Sequence, residues 1–94
     1  MIKIISQSST YLNNDKLNRM KAGDLIILEL VFDKNEFSMH SELMITELDK
    51  ENQTGFARFN QVRECEKYKT FNDYSAHQGT IIPFSYTDIC DVDN

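Results

Sequence analysis

Few side chains in this chain are suited to chemistry, and their spacing decides what they can do. The histidines are His40 and His77, and the cysteines are Cys65 and Cys90. A zinc site needs several ligands at workable spacing, and there is no CxxC, HxxxH or HExxH. His40 and Glu42 lie two apart, so a strand would place both on one face. Two ligands do not make a site, and the simpler reading is that His40 and His77 are two surface histidines in loops. No metal and no cofactor is expected. A cysteine nucleophile needs a base within reach. Cys65 with His77 is the pair that folding would have to bring together. Cys90 sits among apolar neighbours and reads as a small core hydrophobe. The cluster Ser6, Ser8, Ser9 and Thr10 lacks the G-x-S-x-G setting of a hydrolase nucleophile. Glu29 interrupts an apolar run. A half-buried carboxylate there could act as an acid or base, but it more simply marks the wetter side of a half-covered strand. No catalytic residue is assigned, and the chain is read as a binding protein, not an enzyme.

Charge says more than these motifs. Ten basic against fifteen acidic side chains leave a net charge of −5. This balance disfavours a protein that grips nucleic acid mainly through phosphates, and it favours basic partners. The acids fall in two segments. From Asp33 to Gln53 they are Asp33, Glu36, Glu42, Glu47, Asp49 and Glu51. From Thr70 to Asn94 they are Asp73, Asp88, Asp91 and Asp93, with no lysine or arginine. Between the segments stand Arg58, Arg63, Lys67 and Lys69. If the acidic segments share a face, that face would suit a basic groove, including one built for nucleic acid. The partner-binding set expected from this pattern is Glu47, Asp49, Glu51, Asp88 and Asp91. The alternative is an RNA- or single-stranded-DNA-binding barrel, in which Arg58, Lys67 and Lys69 meet phosphates and Phe59, Tyr68 or Phe71 stack on bases.

The elements that must position these residues read mainly as β-strands. Ninety-four residues make one domain, 1-94, with a modest core. A deep enclosed active site would remove much of that core, so a surface cleft or flat face is expected. Met1 to Ser6 reads as a short strand with too short an apolar run for a signal peptide. No segment approaches the ~20 apolar residues of a membrane span, so a cytoplasmic protein with no membrane partner is expected. Two distant cysteines in that compartment read as free thiols.

Asn13 or Asn14 can cap a helix, Asp15 suits its first turn, and Gly23 suits its end. The run from Asp24 to Phe32 is the clearest strand. Its period of two puts Ile26, Leu28, Leu30 and Phe32 on a purely apolar face. Ser41 to Leu48 and Gly55 to Phe59 flank the polar stretch Asp49 to Thr54, giving a hairpin. Asn60 to Ser75 is ambiguous between extended structure and a short helix. From Gly79 to Val92 the chain is again β-like, with Ile82, Phe84, Tyr86, Cys90 and Val92 on one parity. Pro83 assigns this strand to an edge or a bend. The sum is a mainly β (α+β) fold, a small partly open β-barrel or curved antiparallel sheet of five to six strands with one short helix. Its edge strands could also pair in a homodimer.

Two local resemblances bear on function. Gly55-Phe56-Ala57-Arg58-Phe59 resembles part of the aromatic signature of single-stranded RNA readers, with Arg58 where that signature has an aromatic. Leu17 to Leu28 looks like the step from helix through Gly-Asp to apolar strand in PUA-like and ASCH-type domains, small barrels that often bind RNA or modified bases. Only Gly23-Asp24 and the following strand match, and many barrels enter a strand this way. Small size, negative charge and the lack of a catalytic motif also match the general character of a phage- or mobile-element-type inhibitor that imitates nucleic acid.

Overall fold

A computed structural model describes residues 2–7, 14–32, 38–62 and 78–93. Among these residues the strands are β1 (Lys3–Ile4), β2 (Leu25–Val31), β3 (Ser38–Asp49), β4 (Thr54–Val62), β5 (Ile81–Ser85) and β6 (Ile89–Asp93), with one helix, α1 (Asn14–Arg19). A 3-10 turn, Tyr86–Asp88, joins β5 to β6. All pairings are antiparallel and follow the order β1-β2-β3-β4-β5. β6 also pairs with β2. β1 takes the Leu30–Val31 end of β2 and β6 takes the Leu25–Leu28 end, so the two short strands share one strand position. The sheet therefore has five positions. Three residues carry the chain from β5 at one end to β6 at the other, which curls the sheet into a nearly closed barrel.

Bulges produce that curl. An extra residue in one strand bends it and increases its twist. The register skips Thr46 in β3, Asn60 in β4 and Cys90 in β6. Each skip also inverts which parity faces inward. Leu43 and Ile45 are buried, yet Glu47, two residues on, is exposed. After the Cys90 bulge, Ile89 and Val92 fill the core, and Asp91 faces out.

The core lies inside the barrel. Ile26, Leu28, Leu30 and Phe32 of the β2 run all enter it, as the unbroken alternation requires. They meet Leu43, Ile45, Ala57, Phe59, Ile82, Phe84, Ile89 and Val92. Phe32 and Phe59 pack edge to face, with ring centroids 5.4 Å apart. α1 is amphipathic: Leu17 packs on the core, and Met20, just past the helix, is fully buried. Gly23, at φ 98°, turns the chain into β2. The Asp24 carboxylate accepts the Lys21 N–H at 3.1 Å and fixes that turn. Gly23 N–H to the Ile45 carbonyl and Ile45 N–H to the Asp24 carbonyl then continue the β2–β3 ladder. The helix thus stands at the end of the barrel where the β3–β4 hairpin turns, and the Lys50 ammonium donates to the Asn18 carbonyl at 3.1 Å.

β5 is an edge strand, as Pro83 implies. Phe59 exchanges hydrogen bonds with Thr80 and Gly79. Antiparallel alternation then directs Ala57 and Gly55 toward β5 and leaves the Pro83 nitrogen on the free side. Proline there offers no N–H to an incoming strand.

Candidate functional site

Register determines which side chains share the outer face of β3, β4 and β5. Glu47 pairs with Phe56, and Phe56 with Pro83. On one side of this row lies Asp49–Thr54–Ser85, and on the other Met44–Arg58–Ile81. Directly paired residues point to the same face of the sheet. Phe56 is 43% exposed and Ile81 50%, and they are the large apolar residues most open to water in the barrel wall. Pro83 and Arg58 are exposed beside them. The result is an apolar patch carrying one arginine, with carboxylates along its hairpin side.

The Thr46 bulge makes this arrangement. Without the extra residue, Glu47 would share the inward parity of Leu43 and Ile45. With it, Glu47 stands beside the Phe56 ring, while Leu48 turns inward opposite Gly55. The Thr46 hydroxyl donates to the Phe56 carbonyl at 3.2 Å and secures the bulge. Gly55 permits close strand contact. A Cβ there would meet the Glu47 carbonyl oxygen at 2.6 Å and the Phe84 ring at 2.9 Å.

The hairpin tip fixes its own acids. Asp49 accepts the Asn52 backbone N–H at 3.2 Å and the Asn52 side-chain amide at 2.8 Å. These bonds hold the Asp49 carboxyl below the usual carboxylate range. Among the described residues, Glu47 and Arg58 have no hydrogen bond or ion pair from their side chains. Two shallow depressions flank Phe56. One of about 240 Å³ is lined by Glu47, Leu48, Asp49, Thr54, Gly55 and Phe56. The other, of about 380 Å³, lies toward Pro83, Phe84, Ser85 and Asp88.

The acids expected to bind a partner are therefore distributed over different places. Glu47, Asp49 and Glu51 are exposed together at the hairpin. Asp91 is exposed on β6, in the row Asp91–Ile27–Glu42, about 15 Å along the sheet from the Glu47 row at 3.3 Å per residue. Its carboxylate lies 3.5 Å from the Lys16 ammonium. Asp88 is a correction. It is buried, and its carboxylate accepts the Ser85 N–H and the Ser6 hydroxyl, both at 2.8 Å. These bonds cap the 3-10 turn and tie the N-terminal strand to it, so Asp88 serves closure of the barrel and not a surface.

The alternative set changes as well. Arg58 is exposed, but Phe59 is 1% exposed and has no face free for a base. Lys67, Tyr68 and Lys69 lie outside the described residues, as do Arg63, Cys65, Phe71 and His77. The exposed aromatic of β4 is Phe56, which the sequence reading missed. Arg58 shares its parity, and Gly55, Ala57 and Phe59 form the opposite, buried one; that contrast was a usable signal.

The groups considered for catalysis have structural surroundings. Glu29 is half-buried and accepts the Ser38 hydroxyl at 2.8 Å and the Gln7 amide at 3.4 Å. His40 is exposed opposite it. Glu42 is buried and accepts the Gln61 amide at 3.3 Å. Cys90 is a free thiol, half-buried at the β6 bulge. Its burial, with the Glu29 charge in second place, pushes the thiol above its usual range and keeps it protonated at neutral pH. Among the described residues no group of three or more His, Cys, Asp or Glu side chains is placed to hold a metal ion. No helix among them is long and apolar enough to cross a membrane. No family model, no curated protein and no solved structure matches this chain.

Proposed function

We propose that this chain is a non-enzymatic binding protein that docks the outer face of its β3–β4–β5 wall on a basic protein partner. The observation that carries this reading is the row Glu47–Phe56–Pro83. It sets a carboxylate against an exposed ring on a hydrogen-bonded sheet. Interfaces draw their affinity from a few aromatic anchors, while complementary charge supplies orientation and on-rate. Phe56 and Ile81 are the anchors here, and Glu47, Asp49 and Glu51 supply the charge. Glu47, Asp49, Phe56 and Ile81 stand on three hydrogen-bonded strands, so little backbone ordering opposes binding. A partner with a basic groove built for nucleic acid fits this chemistry. A small inhibitor of the phage or mobile-element kind would use it to occupy such a groove.

A second reading has one observation in its favour. Phe56 and Arg58 project from the same side of β4, the pairing of ring and cation that single-stranded nucleic acid uses. Glu47 and Asp49 beside them would repel phosphates, which favours the protein partner.

The test is capture from a lysate of the source organism by tagged protein, with and without nuclease. One protein should be recovered in both conditions, and Glu47→Lys or Phe56→Ala should each abolish its recovery. Asp93→Lys, on the exposed face of β6, should not. Recovery of nucleic acid alone, or equal capture by all variants, would overturn the proposal.

A further inference from the structure

We infer, resting on that reading, that the depression between Glu47, Asp49 and Phe56 receives one arginine side chain of the partner. The depression holds about 240 Å³ and is open to solvent, with room for one long side chain and not for a folded segment. Three features of its wall select the occupant. The Phe56 ring is 43% exposed and presents an aromatic surface to a cation. Glu47 stands directly across from it, and Asp49 lies on the next outward-facing row. Glu47 is unpaired among the described residues, so a cation there would not have to displace another partner.

Asp49 differs from Glu47 in being fixed. Both of its oxygens are engaged by Asn52, which holds the carboxylate in place and negative. The nearest lysine in sequence, Lys50, is drawn to the Asn18 carbonyl on α1. Beneath the hairpin, Tyr86 is 8% exposed, and its hydroxyl has no partner among the described residues. Its backbone N–H donates to the Gln53 carbonyl at 2.9 Å, tying it to the same tip. Arg58 is the charged group on the far side of Phe56. It discourages approach from that direction and leaves the hairpin side as the entrance.

Arginine fits this wall better than lysine. A guanidinium is planar, so one face can lie on the ring while its edge donates two hydrogen bonds to one carboxylate. An ammonium offers a compact charge that keeps its hydration and cannot satisfy both walls at once. Electrostatics alone would not separate the two cations. The ring beside the carboxylate is what makes the site selective.

The experiment is a titration of isotope-labelled protein by nuclear magnetic resonance at constant ionic strength. The probes are the capped tripeptides Gly-Arg-Gly and Gly-Lys-Gly. The arginine peptide should shift the amides of Glu47, Asp49, Thr54 and Phe56 saturably, and bind about threefold or more tighter than the lysine peptide. Phe56→Leu should remove most of that preference, the factor that a surface cation–π contact represents. Glu47→Gln should weaken both peptides, and the arginine peptide more. Equal binding of the two peptides, or shifts that follow Asp91 and Asp93 as much as Glu47, would overturn the inference. The lysate capture separates this failure from that of the parent reading. Capture lost in Glu47→Lys with no arginine preference would sink the pocket and leave the docking face standing. An arginine-selective pocket with no protein captured would do the reverse.

Discussion

Replacing Gly55 with alanine should damage both the fold and the proposed docking face. Gly55 sits in β4 opposite Leu48, with its missing side chain directed at the Phe84 ring. A Cβ placed there would lie 2.6 Å from the Glu47 carbonyl oxygen and 2.9 and 3.0 Å from two Phe84 ring atoms. The ring can shift, but the carbonyl belongs to the neighbouring strand. Overpacking of this kind costs about 1–3 kcal/mol. Alanine recovers about 0.4–1 kcal/mol by restricting the unfolded chain. A clash with backbone falls in the upper half of that cost, about 2–3 kcal/mol, so the net loss is about 1–2.6 kcal/mol. For a domain of this size that lowers Tm by roughly 4–20 °C. Urea unfolding followed by circular dichroism should show a lower midpoint with an unchanged slope. Gly55→Ala combined with Phe84→Leu relieves the ring contact only, so the carbonyl clash should persist and the double variant should remain below Phe84→Leu alone. An unchanged or raised Tm in Gly55→Ala would refute the close approach of β3 and β4 at the bulge, and with it the placement of Glu47 beside Phe56.

Other perturbations probe separate parts of the molecule. Asp88→Ala leaves the half-buried Ser85 N–H without its acceptor and releases Ser6, so stability should fall by about 1–3 kcal/mol in urea unfolding. A change within about 0.5 kcal/mol would mean that the 3-10 turn does not depend on this cap. Tyr86→Phe removes a buried hydroxyl that has no partner among the described residues, so it should leave stability unchanged or raise it by about 1 kcal/mol. Burial, reinforced by the Asp49 charge, raises the Tyr86 pKa in the folded protein. The unfolded chain therefore ionises first, and stability should fall as pH rises past about 10, less so in Tyr86→Phe. An identical alkaline limb in the two proteins would contradict this. In a Cys65→Ser background, alkylation of Cys90 should show a midpoint above the ordinary thiol value of about 8.5, and a midpoint at or below it would contradict the burial of that thiol.

Legibility of the fold in the sequence followed the regularity of the strands. In β2 the period of two runs without interruption, and Ile26, Leu28, Leu30 and Phe32 are all in the core as that period requires. Pro83 implied an edge or a bend, and β5 stands at the edge of the strand order, because a proline nitrogen has no place in a two-sided ladder. The polar run from Asp49 to Thr54 implied a hairpin, and β3 and β4 pair across its central residues. Bulges are what the sequence conceals. The extra residues Thr46, Asn60 and Cys90 carry no compositional mark, and each reverses the parity of the strand beyond it. For this reason Cys90 shares a parity with Ile82 and Phe84 in the sequence but sits at a bulge, while Ile89 takes the core position. The 3-10 turn adds a second reversal between them.

The candidate site was legible in its charge and not in its shape. Glu47, Asp49 and Glu51 stood out as an acidic run near a turn. Asp88 looked the same by composition, yet its spacing of three from Ser85 is that of a capping pair, and the turn uses it internally. The apolar half of the face was hidden because Phe56 and Ile81 are the residue types that normally fill cores. Only the pairings Phe56–Pro83 and Arg58–Ile81 bring these residues together on the outside of the barrel.

Whether the β3–β4–β5 face meets a protein is tested most directly by a photoreactive amino acid at Thr54, between Asp49 and Ser85 on that face. Irradiation in lysate of the source organism should give one protein adduct that persists after nuclease. The same probe at Ser38, at the opposite end of β3, should give none. An adduct to nucleic acid, or a protein adduct formed equally from both positions, would contradict the docking proposal.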